Sequence, residues 1–202
     1  MYNTVADNEQ LWLSFKNGNQ ASFQAIYHQH FSPLYEYGAR FLTDKDLVKD
    51  AIHDLFVKLW SNKSNLGEVS NIRSYLLVSL RSSIFNKAHQ NSKVKLTENI
   101  EQFPFEMEFS VESKYVAKEA QTKQTQLLLD ALNQLSPRQK EVLYLRYFEE
   151  MDYDEIAQIM EITVKATYKL TARGIDSLRQ IMNLPESNIL LLLGLLGSEI
   201  IG

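Results

Sequence analysis

Four histidines, His28, His30, His53 and His89, are the side chains best suited to proton transfer or metal binding near neutral pH. They are scattered along the chain. Even the closest pair, His28 and His30, is two residues apart, a spacing that does not share a helix face. The absence of cysteine excludes disulfides and thiolate metal sites, and it is compatible with a reducing cytoplasm. No phosphate-cradling glycine loop, dinucleotide fingerprint or nucleophile elbow occurs. The residues therefore point away from enzymes, and no metal, cofactor or small-molecule substrate is expected.

The chemistry that remains is phosphate neutralisation. Between Ile72 and Leu96 stand Arg73, Arg81, Lys87, Lys93 and Lys95 with no acid among them. Between Ile162 and Leu184 stand Lys165, Lys169, Arg173 and Arg179 against Asp176 alone. An acidic stretch with Glu98, Glu101, Glu106, Glu108, Glu112 and Glu119 separates the two blocks. The net charge of −4 and pI near 5.6 argue against a protein that holds nucleic acid unaided. Two basic patches on an acidic chain suit one whose affinity comes partly from a larger partner.

The elements that would carry these patches are helical. Across 202 residues only seven glycines and four prolines interrupt stretches rich in Leu, Ala, Lys, Glu and Gln, which predicts an all-α chain of two small helical domains. Residues 8–30 form a first helical unit interrupted at Gly18, and Pro33 marks a break or a new start. Thr43 and Asp44 read as an N-cap before Lys45 to Trp60, where Leu47, Val48, Ala51, Ile52, Leu55, Phe56 and Leu59 recur on one face. Ser61 to Ser70 is a loop. Ile72 to Ala88 is the next helix, with Tyr75, Leu76, Ser79, Leu80 and Ser83 inward.

Residues 91–115 lack a sustained period and read as a solvated, flexible linker, whose Phe103, Phe105 and Phe109 are also open to docking in cis or on a partner. The second domain, 116–184, holds the clearest signals. Ser136-Pro137-Arg138-Gln139 combines an N-cap, a proline at the first helical position and a capping-box glutamine. Asp152 and Glu155 make a second capping box before a short helix. Thr163 then caps a longer helix, Val164 to Met182, with Val164, Thr167, Thr171, Ile175, Leu178 and Met182 inward. Two capped helices, a tight turn and a basic second helix describe a helix-turn-helix, a shape that serves DNA binding or plain packing. The tail, 185–202, carries an apolar run from Ile189 to Ile201 of roughly 13 residues, short of the about 20 that span a bilayer. Packing against the second domain or a neighbouring chain is expected of it, and membrane association is not. Met1 to Gln10 lacks the layout of a signal peptide.

Two fragments carry a family resemblance. Leu135 to Leu170, LSPRQKEVLYLRYFEEMDYDEIAQIMEITVKATYKL, resembles region 4 of the extracytoplasmic-function (ECF) sigma factors of the sigma-70 family. AIHDLFVKLW, Ala51 to Trp60, and YLLVSLRSSIFN, Tyr75 to Asn86, resemble regions 2.2 and 2.3 running toward 2.4. The resemblance implies a cytoplasmic transcription initiation factor that binds core RNA polymerase and directs it to promoter DNA. Residues 8–90 would bind polymerase and the −10 element, 116–184 the −35 element, and an anti-sigma factor would be a further partner.

On this resemblance Asp50, Asp54, Leu55, Phe56, Lys58 and Trp60 dock on polymerase, Phe56 being equally suited to core packing. Asn62, Lys63, Asn71, Arg73, Arg81, Asn86 and Lys87 contact the −10 strand. Lys165, Ala166, Tyr168, Lys169 and Arg173 face the −35 groove, with Tyr168 also able to pack on the neighbouring helix. Ser136, Arg138 and Gln139 lie near phosphate. Three departures from the family pattern stand out: Glu161 replaces a turn glycine, Ala166-Thr167 replaces a threonine-then-valine pair with Thr171 weakening the apolar seam, and Ser82 replaces an asparagine. The alternative function is a stand-alone dimeric helix-turn-helix regulator, which would bind pseudo-palindromic duplex by itself.

Overall fold

A computed structural model describes residues 5–91, 103–107 and 119–201, all of the regular structure among them helical. The chain divides into two compact units, residues 1–97 and 98–202.

The first unit is built from α1 (Val5–Lys16), α2 (Gln20–Ala39), α3 (Lys45–Ser61) and α4 (Ile72–Asn91). Gly18, at φ 88°, turns the chain between α1 and α2, and the Asn19 side chain caps α2 by accepting from the Ser22 N–H at 3.1 Å. Pro33 does not break α2. A proline removes a helix hydrogen bond, but Ile26, His30, Leu34 and Tyr37 are buried along the same helix, and that packing holds it continuous. Asp44 caps α3 by accepting from Asp46 and Leu47. Of the stripe expected in α3, Val48, Ala51, Ile52, Leu55, Phe56 and Leu59 are buried, while Leu47 in the first turn is only half-buried. Between α3 and α4 the loop forms one 3-10 turn, Lys63–Asn65, and the Trp12 indole N–H donates to the Gly67 carbonyl at 3.0 Å, pinning the loop to α1.

In the second unit α8 (Val164–Met182) is central, packing against α5 (Glu119–Asn133), α6 (Pro137–Tyr147), α7 (Tyr153–Ile159) and α9 (Glu186–Ile201). Both capping boxes foreseen at Ser136 and Asp152 are formed. The apolar tail is α9. It turns Ile189, Leu193 and Leu196 inward and packs on α5, α6 and α8, as expected of a segment docked on the second domain. Its Gly197 lies so close to the Tyr147 carbonyl that a side chain there would collide with backbone. No helix among the described residues is long and apolar enough to cross a membrane.

The linker reading needs one amendment. Residues 103–107 pack within the second unit, with Phe105 and Met107 buried and the Phe105 ring 5.7 Å from that of Tyr144. Glu106 lies 3.5 Å from the Lys140 ammonium. Burying a phenylalanine and a methionine stabilises by roughly 3–6 kcal/mol before ordering costs, enough to hold five residues that local periodicity leaves unassigned. Phe109 and the expected domain start at residue 116 lie outside the described residues.

One buried side chain makes the first unit acid-sensitive. His30 is 6% exposed, and its Nε2 has no hydrogen-bond partner. Burial, with Arg73 nearby adding to it, pushes its imidazole from 6.5 down to about 4. Between those values the unfolded chain takes up a proton that the folded one excludes, so this contribution to stability is complete above 6.5 and is lost as pH falls toward 4. Urea denaturation at pH 7.5 and pH 5 should show the wild type losing about 2 kcal/mol more than His30→Leu. Equal losses would contradict a neutral, buried imidazole.

Candidate nucleic-acid interface

In the second unit the candidate surface begins with three helix starts. The Ser136 hydroxyl accepts from the Gln139 N–H, and the Gln139 side chain returns the bond to the Ser136 N–H at 3.1 Å. Asp152 and Glu155 do the same for α7 at 2.8 and 2.9 Å. Thr163 caps α8 through the Ala166 N–H at 3.2 Å. These caps satisfy backbone donors that would otherwise compete for a ligand, and they fix where α8 leaves the turn.

The turn itself is strained. Glu161 sits at φ 54°, the left-handed region that favours glycine, and Ile162 N–H reaches back to the Ala157 carbonyl at 3.0 Å. The turn thus takes the left-handed conformation with a glutamate in place of a glycine. Its cost is carried by a residue whose side chain is exposed.

From that turn α8 buries Thr167, Thr171, Gly174, Ile175 and Leu178. The two threonines do not leave hydroxyls stranded, because Thr167 donates to the Thr163 carbonyl and Thr171 to that of Thr167. Gly174 lets α8 approach α6, where the Leu143 side chain would be 3.1 Å from an added Cβ. The opposite side carries Lys165, Tyr168, Lys169 and Arg173, all exposed, with Ala166 partly so. All five residues expected to face a groove are therefore on the accessible side of one helix. Tyr168 also stacks on Tyr153 of α7, ring centroids 3.8 Å apart. Arg179 is tied to Asp176 at 2.9 Å.

The expected phosphate ligands at the start of α6 are more engaged. Ser136 is exposed but its oxygen serves the cap, Gln139 Nε2 donates to the Ser177 hydroxyl at 3.3 Å, and Arg138 reaches the Met160 carbonyl at 3.4 Å. Arg138 thereby ties α6 to the turn ahead of α8.

In the first unit the expected residues separate into two groups. Asn62 and Asn86 meet across a cleft of about 260 Å³ lined also by Leu55, Lys58, Leu59, Leu66, Tyr75, Ser79, Ser82 and Ser83. Others are occupied within the fold. Arg81 is 2% exposed, its guanidinium over the Phe85 ring at 4.4 Å, which removes it from direct strand contact in this conformation. Asn71 caps α4 by accepting from Ser74. Arg73 is half-buried near His30. The Lys63 ammonium lies over the Trp60 ring at 4.3 Å. Lys87 pairs with Asp54 at 2.7 Å, and its hydrogen bond holds that carboxyl below the usual range.

On α3, Asp50 and Lys58 are exposed and Asp54 half-exposed, whereas Leu55 and Phe56 belong to the core and Trp60 packs on Phe23. Among the described residues no three His, Asp or Glu side chains gather as a metal site would require. Sequence reading missed the shared cleft, although Tyr75, Ser79 and Ser83 had been placed on one face. It also missed Tyr153, which carries no charge to mark it.

The family described as Sigma-70, region 4 matches residues 125–178, the span of α6, α7 and most of α5 and α8. The RNA polymerase sigma factor YlaC of Bacillus subtilis (strain 168) is 25% identical over 140 residues, covering 69% of this chain and 79% of YlaC. The chain is therefore similar to sigma factors, through the sigma-70 region 4 model in its second unit and through YlaC over a longer span. Two solved structures share the fold of this chain at 17% identity. One is CnrH in complex with the cytosolic domain of CnrY, with a TM-score of 0.57 over 87% of this chain and 96% of that one. The other is the sigma factor RpoE in complex with the anti-sigma factor NepR from Bartonella quintana, with a TM-score of 0.58 over 80% and 97%. A transcription initiation factor is the function that follows, and the stand-alone regulator is not favoured.

The strain at Glu161 is open to a direct check. Glu161→Gly should stabilise the second unit by about 1 kcal/mol, because glycine adopts a positive φ without the Cβ clash, and raise its melting temperature by roughly 4 °C. A melting temperature unchanged or lowered in a calorimetric scan would show that the turn is not strained.

Proposed function

We propose that this sigma factor joins core RNA polymerase in the cytoplasm and brings it to two-part promoters, the second unit reading a −35 duplex and the first unit a −10 strand. The observation that carries the reading is α8. One side is buried in a capped helix-turn-helix, and the other presents Lys165, Ala166, Tyr168, Lys169 and Arg173 to solvent. A helix so placed enters a major groove with its amino-terminal half. The lysines serve phosphates and Arg173 a guanine edge or phosphate, while Ala166 is small enough to admit a base.

For the −10 strand the reading assigns one unstacked base to the cleft between α3 and α4, where Asn62, Ser82, Ser83 and Asn86 offer donors and acceptors of the kind that read a base edge. Asp50, Asp54 and Lys58 form the polar edge offered to polymerase. Phe56 and Leu55 act behind that edge by shaping α3. An anti-sigma factor is the remaining partner, supported by the company in which RpoE of similar fold was crystallised. None of these roles asks the chain to make or break a covalent bond.

Abortive initiation with purified core polymerase tests the reading. Short promoter-specific transcripts should appear only when the chain is added, and Arg173→Ala should lower them at least about fivefold. Lys169→Ala should reduce the slope of log affinity against log salt by about 1. No transcripts on any template, with tight binding of the isolated chain to palindromic duplex, would overturn it.

A further inference from the structure

Tyr168 is unusual among the groove-facing residues, since it is a large aromatic ring, 54% exposed, in the outward face of a recognition helix. An exposed tyrosine samples several rotamers, and such mobility blunts recognition. This one is not loose. Its ring stacks on Tyr153 with centroids 3.8 Å apart and planes 28° from parallel. Tyr153 in turn has the Arg146 guanidinium over its ring at 4.9 Å. Arg146 is anchored by an N–H donated to the Met151 carbonyl at 2.7 Å. Tyr153 is also the first residue of α7, directly after the Asp152 capping box. A supported chain thus runs from the end of α6 through the start of α7 to the outward side of α8.

What such a ring can read follows from the edges of the base pairs. Hydrogen-bond discrimination in the major groove rests on paired donors and acceptors, which arginine, asparagine and glutamine supply and a single phenol does not. An aromatic side chain offers apolar surface instead, and the groove has one apolar feature, the 5-methyl group of thymine. We propose that Tyr168 reads the methyl group of a thymine at one base pair of the −35 element, and that Tyr153 is the positioning residue that holds it there. The proposal rests on the assignment of α8 to the −35 duplex. It adds a base preference, and it gives a role to a residue of α7 that itself need touch no base.

The test uses the full chain with core polymerase and a promoter duplex selected by that holoenzyme. Each thymine of the −35 block is replaced, one at a time, by deoxyuridine, which keeps the hydrogen-bonding edge and removes only the methyl. Affinity should fall roughly three- to fivefold at a single position. That loss should vanish in Tyr168→Ala and Tyr153→Ala and persist in Tyr153→Phe, which keeps the stack. A residue that merely supports folding would change all positions alike. Thermal melts accompany each variant, and Tyr168→Ala, at an exposed site, decides the matter even if Tyr153→Ala melts early.

Indifference of the wild type to every uridine, a −35 block without thymine, or an undiminished uridine effect in Tyr168→Ala would overturn the proposal. If the holoenzyme selects no −35 block at all, the assignment of α8 falls first and this proposal with it.

Discussion

In α8 the inward residues Thr167, Thr171, Gly174, Ile175 and Leu178 are held against α6 and α7, and nearly everything the second unit offers depends on that contact. A helix has only so many faces, so fixing one seam fixes the direction of the others. The contact is close where Gly174 meets Leu143, and it tolerates two threonines because their hydroxyls bond to carbonyls of the preceding turn. With the seam set, Lys165, Tyr168, Lys169 and Arg173 have nowhere to point but outward. The αL residue Glu161 is what the chain accepts to let α8 leave the turn at that angle.

The charge distribution gains meaning from the structure. The basic block on α4 looked like a strand-binding surface in its entirety, yet much of it is used inside the first unit. Arg81 lies over Phe85 in the core, and Lys87 is paired with Asp54. Beside them the first unit keeps a small cleft lined by asparagines and serines, the place to which the proposed function assigns an unstacked base. On α8, Lys165, Lys169 and Arg173 are exposed cations that no acid among the described residues pairs. On a chain of net charge −4 that is a modest electrostatic hold. It matches a factor that borrows affinity from polymerase.

Much of this was legible in the residues, and for definite reasons. Capping boxes are local, so Ser136 with Gln139 and Asp152 with Glu155 announced two helix starts that the fold confirms. The period-3.6 stripe of α3 and the seam of α8 named most of the buried residues, because amphipathic helices in a small unit have one place to bury an apolar side; Leu47, Val164 and Met182, at the helix ends, are only half-buried. The features that escaped are those decided by packing partners. Continuity of α2 through Pro33 depends on packing that overrides a local breaker. Arg81 turns its guanidinium onto Phe85, one helical turn on, where charge alone suggests an outward side chain. Docking of Phe105 and packing of Tyr168 stood among the alternatives, but their partners Tyr144 and Tyr153 carry no local signal. The family resemblance carried the functional reading, and the match over residues 125–178 bears out its region 4 part.

If two separate readers in one chain guide polymerase to a two-part site, the selected promoters must carry the mark of both. Transcription by core polymerase plus this chain on a random-sequence library, with sequencing of the transcript starts and the DNA upstream of each, tests it most directly. Two unlike sequence blocks should emerge at a fixed separation near −35 and −10, absent when the chain is omitted. A single palindromic motif, or starts that do not depend on the chain, would contradict it.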